Sequence, residues 1–225
     1  MKKLFLIVAL LICSIGITQN KSEAKVASKD LKFGVKLGLN FSKLTDFDSG
    51  SSSISYRNGL NIGAYLNYKF SNKFAFQPEL IYTAQGVIEE GISQGIKLKL
   101  TYRLDYIAVP LMIKYYASNQ FNIEFGPQLA INVKKQLEVK GNGQTLDYNL
   151  DDFFNDNNID AKTGTFDIAL NFGVGYELKN GLNFGSRYSL GLIRVFDGSG
   201  VVDNSGNSQN IKNSVFTFGL GYTFK

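Results

Sequence analysis

The sequence predicts an all-β fold: an eight-stranded antiparallel up-and-down transmembrane β-barrel, preceded by a cleaved signal peptide. Three observations predict it. Apolar and polar residues alternate through eight segments, down to the closing VFTFGLGYTFK of residues 215–225, where Phe216, Phe218, Leu220, Tyr222 and Phe224 take every second position. The composition favours extended, aromatic-rich backbone, with 18 Phe, 12 Tyr and 23 Gly against 3 Pro and no Trp in 225 residues. Short and long connections also alternate, so that turns collect at one end of the fold and long segments at the other.

The chain opens on MKKLFLIVALLICSIGITQN, two lysines followed by an apolar run from Leu4 to about Ile17. This pattern reads as a secretory leader over residues 1–24, with the barrel occupying 25–225. The run is shorter than the roughly 20 residues a spanning helix needs. Cys13 follows Leu11 and Ile12, where a lipid-attachment signal wants small residues, so no lipid anchor is expected there.

Alternation then marks each strand. The first carries Leu31, Phe33, Val35, Leu37, Leu39 and Phe41 on one face, the second Leu60, Ile62, Ala64, Leu66, Tyr68 and Phe70. The third, after the turn SNK, has Phe74, Phe76, Pro78, Leu80 and Tyr82. In the fourth, Leu100, Tyr102 and Leu104 lie on one parity and Ile107, Val109, Leu111, Ile113 and Tyr115 on the other, which predicts a bulge near Asp105 to Ala108. The fifth alternates from Phe121 to Val133, the sixth from Phe166 to Leu178 and the seventh from Leu182 to Leu192. The closing stretch is the eighth.

The tight turns are SNK, ASNQ and KNG, whereas the segments around 43–56, 88–97, 135–164 and 194–213 are long and polar. Short periplasmic turns and long extracellular loops are the pattern of outer-membrane barrels. It places both termini on the periplasmic side.

Alternation alone leaves open a soluble calycin-like barrel with an apolar interior. Three features favour the membrane. The polar faces are rich in Gly, Asn, Ser and Thr, a poor coat for a solvated exterior but a good filling for a narrow lumen. Aromatic residues gather beside the short turns, where Tyr68, Phe70, Phe74, Phe76, Tyr115, Phe121, Tyr176, Phe184 and Phe224 would form an interfacial girdle. Each run also reaches the roughly 9 to 11 residues that a tilted strand needs to cross lipid.

Formal charge is +5; loss of Lys2, Lys3, Lys21 and Glu23 with the leader leaves 21 basic and 18 acidic residues. These charges are scattered, so no nucleic-acid partner is expected. There is no His, and Cys13 is the single cysteine, which excludes Ser-His and Cys-His nucleophile systems and ordinary zinc sites. Neither enzyme activity nor a cofactor is expected.

The lumen face should carry Lys36, Lys69, Glu79, Lys114, Glu124, Asp167, Glu177 and Arg187. Charges of both signs in a narrow barrel must pair, so they predict a salt-bridged filling more than an ion pathway, with Asp167 and Arg187 as one pair. Asp156, Asn158 and Asp160 are spaced like the start of a calcium loop, but Ala161 stands where that loop needs Gly. Phe153 and Phe154 in the same segment could mark an exposed contact surface, and the Gly-, Ser- and Asn-rich stretch from Arg194 to Asn213 reads as mobile. At the C-terminus, Phe218, Leu220, Tyr222 and Phe224 are similar to the signal by which such barrels are recognised for insertion, although Lys225 follows where a terminal Phe is usual.

The phrases FQPELIYTAQG (76–86), YIAVPLMIKYY (106–116), FNIEFGPQL (121–129), FDIALNFGVGYEL (166–178) and RYSLGL (187–192) resemble the PorT-like, porin-family outer membrane protein β-barrel family. Where that family often has an acidic residue two before the motif proline, this chain has Ala108. The resemblance implies a monomeric barrel in a Gram-negative outer membrane, inserted by the barrel assembly machinery and surrounded by outer-membrane lipid. Three roles fit it: a structural or interaction protein with a side-chain-filled lumen, a narrow passive porin for small polar solutes, or a scaffold subunit of a PorT-like secretion complex that meets an envelope partner through its loops.

Overall fold

The computed structural model describes residues 30–47, 52–93, 95–202 and 209–224. The leader, with Cys13, lies outside the described residues, as does Lys225.

Strands form where the sequence alternates, and their length shows how far each reaches beyond the lipid. The barrel consists of β1 (Asp30–Thr45), β2 (Ser53–Lys69), β3 (Phe74–Ser93), β4 (Ile96–Tyr116), β5 (Phe121–Gly141), β8 (Phe166–Glu177), β9 (Leu182–Gly191) and β11 (Lys212–Thr223). Around them lie β6 (Gln144–Asn149), β7 (Lys162–Thr163), β10 (Phe196–Asp197) and the helix α1 (Leu150–Asp156). Every barrel neighbour is antiparallel. β1 pairs with both β2 and β11, and the β4–β5 pairing completes the ring. Each backbone N–H and C=O in hydrocarbon needs a partner, and a closed ring supplies it without a free edge.

The outward face is apolar. Leu37 of β1, Leu80 of β3, Leu129 of β5, Phe172 of β8 and Phe218 of β11 are all about half exposed, while Asn40, Glu79, Gln128, Asn171 and Thr217 of the same strands are buried inside. Such an exterior is the reverse of a soluble barrel and faces acyl chains. At the short-turn end, Phe70 and Phe74 stack at 6.3 Å, Phe74 meets Tyr115 at 5.3 Å and Phe33 stacks on Phe224 at 5.5 Å. Phe70, Phe74, Tyr115 and Phe224 belong to the expected girdle, and Phe33 adds to it.

The fourth strand corrects the sequence reading. β4 runs against β3 in one unbroken register from Phe74↔Tyr115 to Ser93↔Ile96. The irregularity at Asp105/Tyr106 belongs to the β4–β5 pairing, where Asp105 faces Lys134 and Tyr106 faces Asn132, so the extra residue is Val133 of β5. Leu100, Tyr102 and Leu104 change parity relative to Ile107 because the interior itself turns apolar toward the long-loop end. There Val87, Leu104, Leu137, Leu150, Val195 and Phe196 are buried in one cluster.

That cluster also revises the loop expectations. Residues 88–93, 96–97 and 135–141 extend the strand pairs β3–β4 and β4–β5, and β6 pairs back on β5. The helix α1 begins at Asn149, whose side chain accepts from the backbone N–H groups of Asp151 and Asp152, an N-cap. Phe153 and Phe154 are half-buried and pack against the cluster, Phe154 meeting Phe196 edge-on at 5.9 Å, so they line the cap instead of standing free. In the segment expected to be mobile, Val195, Phe196 and Ile211 are buried and Val195 N–H donates to the Ile211 carbonyl; residues 203–208 lie outside the described residues.

Candidate functional site

The lumen is built in layers, because every second residue of eight strands points into it. Across its middle, the Arg187 guanidinium of β9 donates through Nη1 and Nη2 to Glu79 of β3 at 2.9 and 2.8 Å, and through Nε to Glu124 of β5 at 2.7 Å. Lys36 of β1 adds a bond to Glu79 Oε2 at 2.9 Å, and Gln77 Nε2 donates to Glu79 Oε1 at 2.8 Å. Two cations and two carboxylates cancel, and the fork geometry of arginine suits the bidentate contact.

Toward the short turns, Lys114 donates to Glu177 at 3.0 Å, and Tyr116 and Asn122 reach the same carboxylate at 3.1 and 3.3 Å. Lys69 sits 4.4 Å over the Tyr116 ring, a cation–π contact outside the ion-paired set. Asp167 also stands apart and overturns the expected partnership with Arg187. Its carboxylate accepts from Asn213 Nδ2 at 3.1 Å, because in the β8–β9 register Arg187 lies opposite Gly173, six residues along the strand from Asp167. The structure thus brings together Lys36, Glu79, Glu124 and Arg187 in one group and Lys114 with Glu177 in a second.

The sequence reading missed a neutral layer above the charges. Asn40, fully buried, donates to Thr83 Oγ1 at 2.8 Å and to the Ala84 carbonyl at 2.9 Å, and accepts from Thr217 Oγ1 at 2.8 Å. Its alternation was readable, but its partners on β3 and β11 were not. Beyond this layer the apolar cluster closes the bore, with Leu150 of α1, Val195 and Ile211 entering from the connections.

What space remains is small. A cavity of about 60 Å³ lies along the charged and neutral layers, lined in part by Lys36, Asn61, Gln85, Asn122 and Arg187. It has room for a few waters and for no solute. At the short-turn end an open vestibule of about 440 Å³ is bordered by Lys69, Tyr116, Glu177 and Lys179. Among the described residues no three His, Cys, Asp or Glu side chains are grouped to hold a metal ion. The Asp160 carboxylate of the calcium-like segment instead accepts from the Ser199 hydroxyl at 2.5 Å and its N–H at 3.1 Å. Phe218, Leu220, Tyr222 and Phe224 all project outward from the β11 end of the chain, exposed.

Among solved structures, Ail, the attachment invasion locus protein of Yersinia pestis, is similar at 12% identity and a TM-score of 0.45, with 87% of this chain and 99% of that chain covered. Neisserial surface protein A aligns at 13% identity and a TM-score of 0.42, covering 85% and 97%. OprG of Pseudomonas aeruginosa aligns at 15% and 0.40, covering 87% and 97%. No curated protein matches the chain. The family model described as "Outer membrane protein beta-barrel domain" matches residues 18–197, well over half of the sequence. With its apolar exterior, polar interior and closed ring, the chain belongs to the outer membrane protein β-barrel domain family and is a protein of the cell outer membrane.

Proposed function

We propose that this barrel is a structural or interaction protein, not a conduit: a monomer whose lumen is sealed and whose working surface is the outer wall and cap. The observation that carries this reading is the sequence of seals along one bore, a neutral four-charge network followed by an apolar cluster. An ion would have to separate Arg187 from two carboxylates and then pass between the buried side chains of Val87, Leu104, Leu137, Leu150, Val195 and Phe196. Membership of the family supports insertion by the barrel assembly machinery.

Planar-bilayer recording of the purified full chain tests it. The expected record is flat at 1 M salt, and stepwise currents that scale with salt would replace this reading with that of a narrow passive porin.

A scaffold role in a PorT-like secretion complex has one supporting observation. The wall formed by β3 to β6 stands above the shorter β8 and β9 and exposes Ile92, Ile96, Leu146 and Tyr148 outside the membrane belt. Photo-crosslinking from positions 146 and 148 in intact membranes checks it; a scaffold yields one defined adduct, and its absence removes the role.

A further inference from the structure

The outward face of β4 and β5 changes character within one strand step. Below the step it is lipid-facing, with Ile107 and Val109 of β4 and Ile131 and Val133 of β5 exposed. Above it, Asp105 faces Lys134, Arg103 faces Gln136, Thr101 faces Glu138 and Lys99 faces Lys140. Two lysines directly opposite one another repel, an arrangement strands ordinarily avoid. Here each is held by a neighbouring carboxylate, Lys99 by Glu90 at 2.8 Å and Lys140 by Glu138 at 3.0 Å, while Arg103 shares Glu138.

The pairing leaves an excess. Asp105 is neutralised by Arg57 at 3.0 Å and also accepts from Tyr82 at 2.7 Å. Lys97, Lys99, Arg103, Lys134 and Lys140 then share the face with three carboxylates, Glu90, Glu138 and Asp147, the last opposite Glu138 on β6. Lys134 is exposed at the first position past the apolar belt, and Lys97 is exposed at the top of the same column. A strand rises about 3.3 Å per residue, so Lys134 and Arg103 fall within the headgroup layer that borders the hydrocarbon.

We propose that this face is a docking surface for the phosphate groups of outer-leaflet lipid. Charge complementarity supports it, since the excess is positive and the headgroups are anionic. Continuity supports it too, because acyl chains packed on Ile107, Val109, Ile131 and Val133 deliver their headgroups to Lys134 and Arg103. The proposal depends on the membrane placement of the barrel and is independent of whether the lumen conducts.

Native mass spectrometry of the detergent-solubilised full chain, with phosphatidic acid and phosphatidylcholine as probes, tests it. Phosphatidic acid should be retained at least about tenfold more than phosphatidylcholine. The Lys134→Gln/Lys140→Gln variant should lose most of that preference, Lys134→Arg/Lys140→Arg should keep it, and Lys73→Gln/Lys179→Gln, at the short-turn end, should leave it unchanged. Heat-dependent gel mobility establishes that each variant is folded, and single Lys134→Gln, on an exposed side chain, serves if the double variant is not. Equal retention of the two lipids, or a preference unaltered by the glutamines, overturns the proposal. Displacement of phosphatidic acid by equimolar inorganic phosphate overturns it as well, by making the face a free-anion site.

Discussion

Arg187 is the residue on which the lumen turns. Its side chain is nine-tenths buried and bonds both Glu79 and Glu124, so its removal leaves two buried carboxylates with Lys36 bonded to Glu79 and Lys114, already paired with Glu177, opposite Glu124. Breaking a buried pair from one side costs about 3–5 kcal/mol, whereas replacing the whole group by neutral residues of similar size is often harmless. Arg187→Met is therefore expected to lower the urea unfolding free energy in micelles by about that amount, and Lys36→Met/Glu79→Gln/Glu124→Gln/Arg187→Met to recover most of it; a single variant as stable as the parent would mean that the network holds nothing together. The cap has its own titrating residue. Burial pushes the Asp151 carboxyl up, but the Thr163 N–H at 2.7 Å and Lys135 at 3.1 Å outweigh it and hold the pKa below its ordinary 3.8. A depressed folded-state pKa gives stability that is complete above 3.8 and lost as pH falls through the folded value. Hydrogen-exchange protection of the Thr163 amide should thus be level at neutral and mildly acidic pH and fall below pH 3.8, and Asp151→Asn should flatten that dependence.

At the scale of elements, alternation was legible wherever one solvent lay on each side of a strand. β5 from Phe121 to Val133 and β8 from Phe166 to Glu177 keep a single parity between lipid and a polar lumen; the limits of β8 could be read from sequence, whereas β5 runs on to Gly141 beyond its bulge. β4 could not be read so simply, because parity reports which face is apolar, not which face is inside. Leu104 and Ile107 are both apolar, yet one fills the plug and the other meets lipid. The neighbouring stretch of β3 depends on Gly86, at φ 138°, where an added Cβ would lie 1.9 Å from the Tyr102 carbonyl oxygen. No L side chain takes that conformation freely, and the clash is with backbone. Gly86→Ala is expected to cost about 1–3 kcal/mol in unfolding free energy and to loosen the β3–β4 extension first. Amide exchange should therefore accelerate from 87 to 102 before it changes at Phe74 or Tyr115; uniform acceleration would show that the extension and the barrel open together.

The whole molecule is decided by closure, and closure joins the first strand to the last through twelve paired positions, Gly34↔Thr223 to Thr45↔Lys212. Sequence counted the strands and set the order of their turns, which sufficed for the barrel. The charge pairs were less legible: that Glu79 of β3 meets Arg187 of β9 across the bore follows from how the ring curves, which no local pattern records, and Asp167 was given Arg187 as a partner only because their strands are neighbours. The C-terminal strand serves two purposes that can be separated. Its backbone completes the ring, while Phe218, Leu220, Tyr222 and Phe224 present an outward apolar column that we read as an address for insertion. A chain ending at residue 214 loses every β1–β11 bond from Gly34 to Ser42 and should fail to show heat-dependent mobility in any detergent. Tyr222→Ser/Phe224→Ser keeps the backbone pairing, loses only exposed rings at the short-turn end, and should refold in micelles yet accumulate in the periplasm when expressed. Insertion of that variant at the parental level in cells would assign the column to lipid contact alone, and failure to refold in micelles would assign it to the stability of the seam.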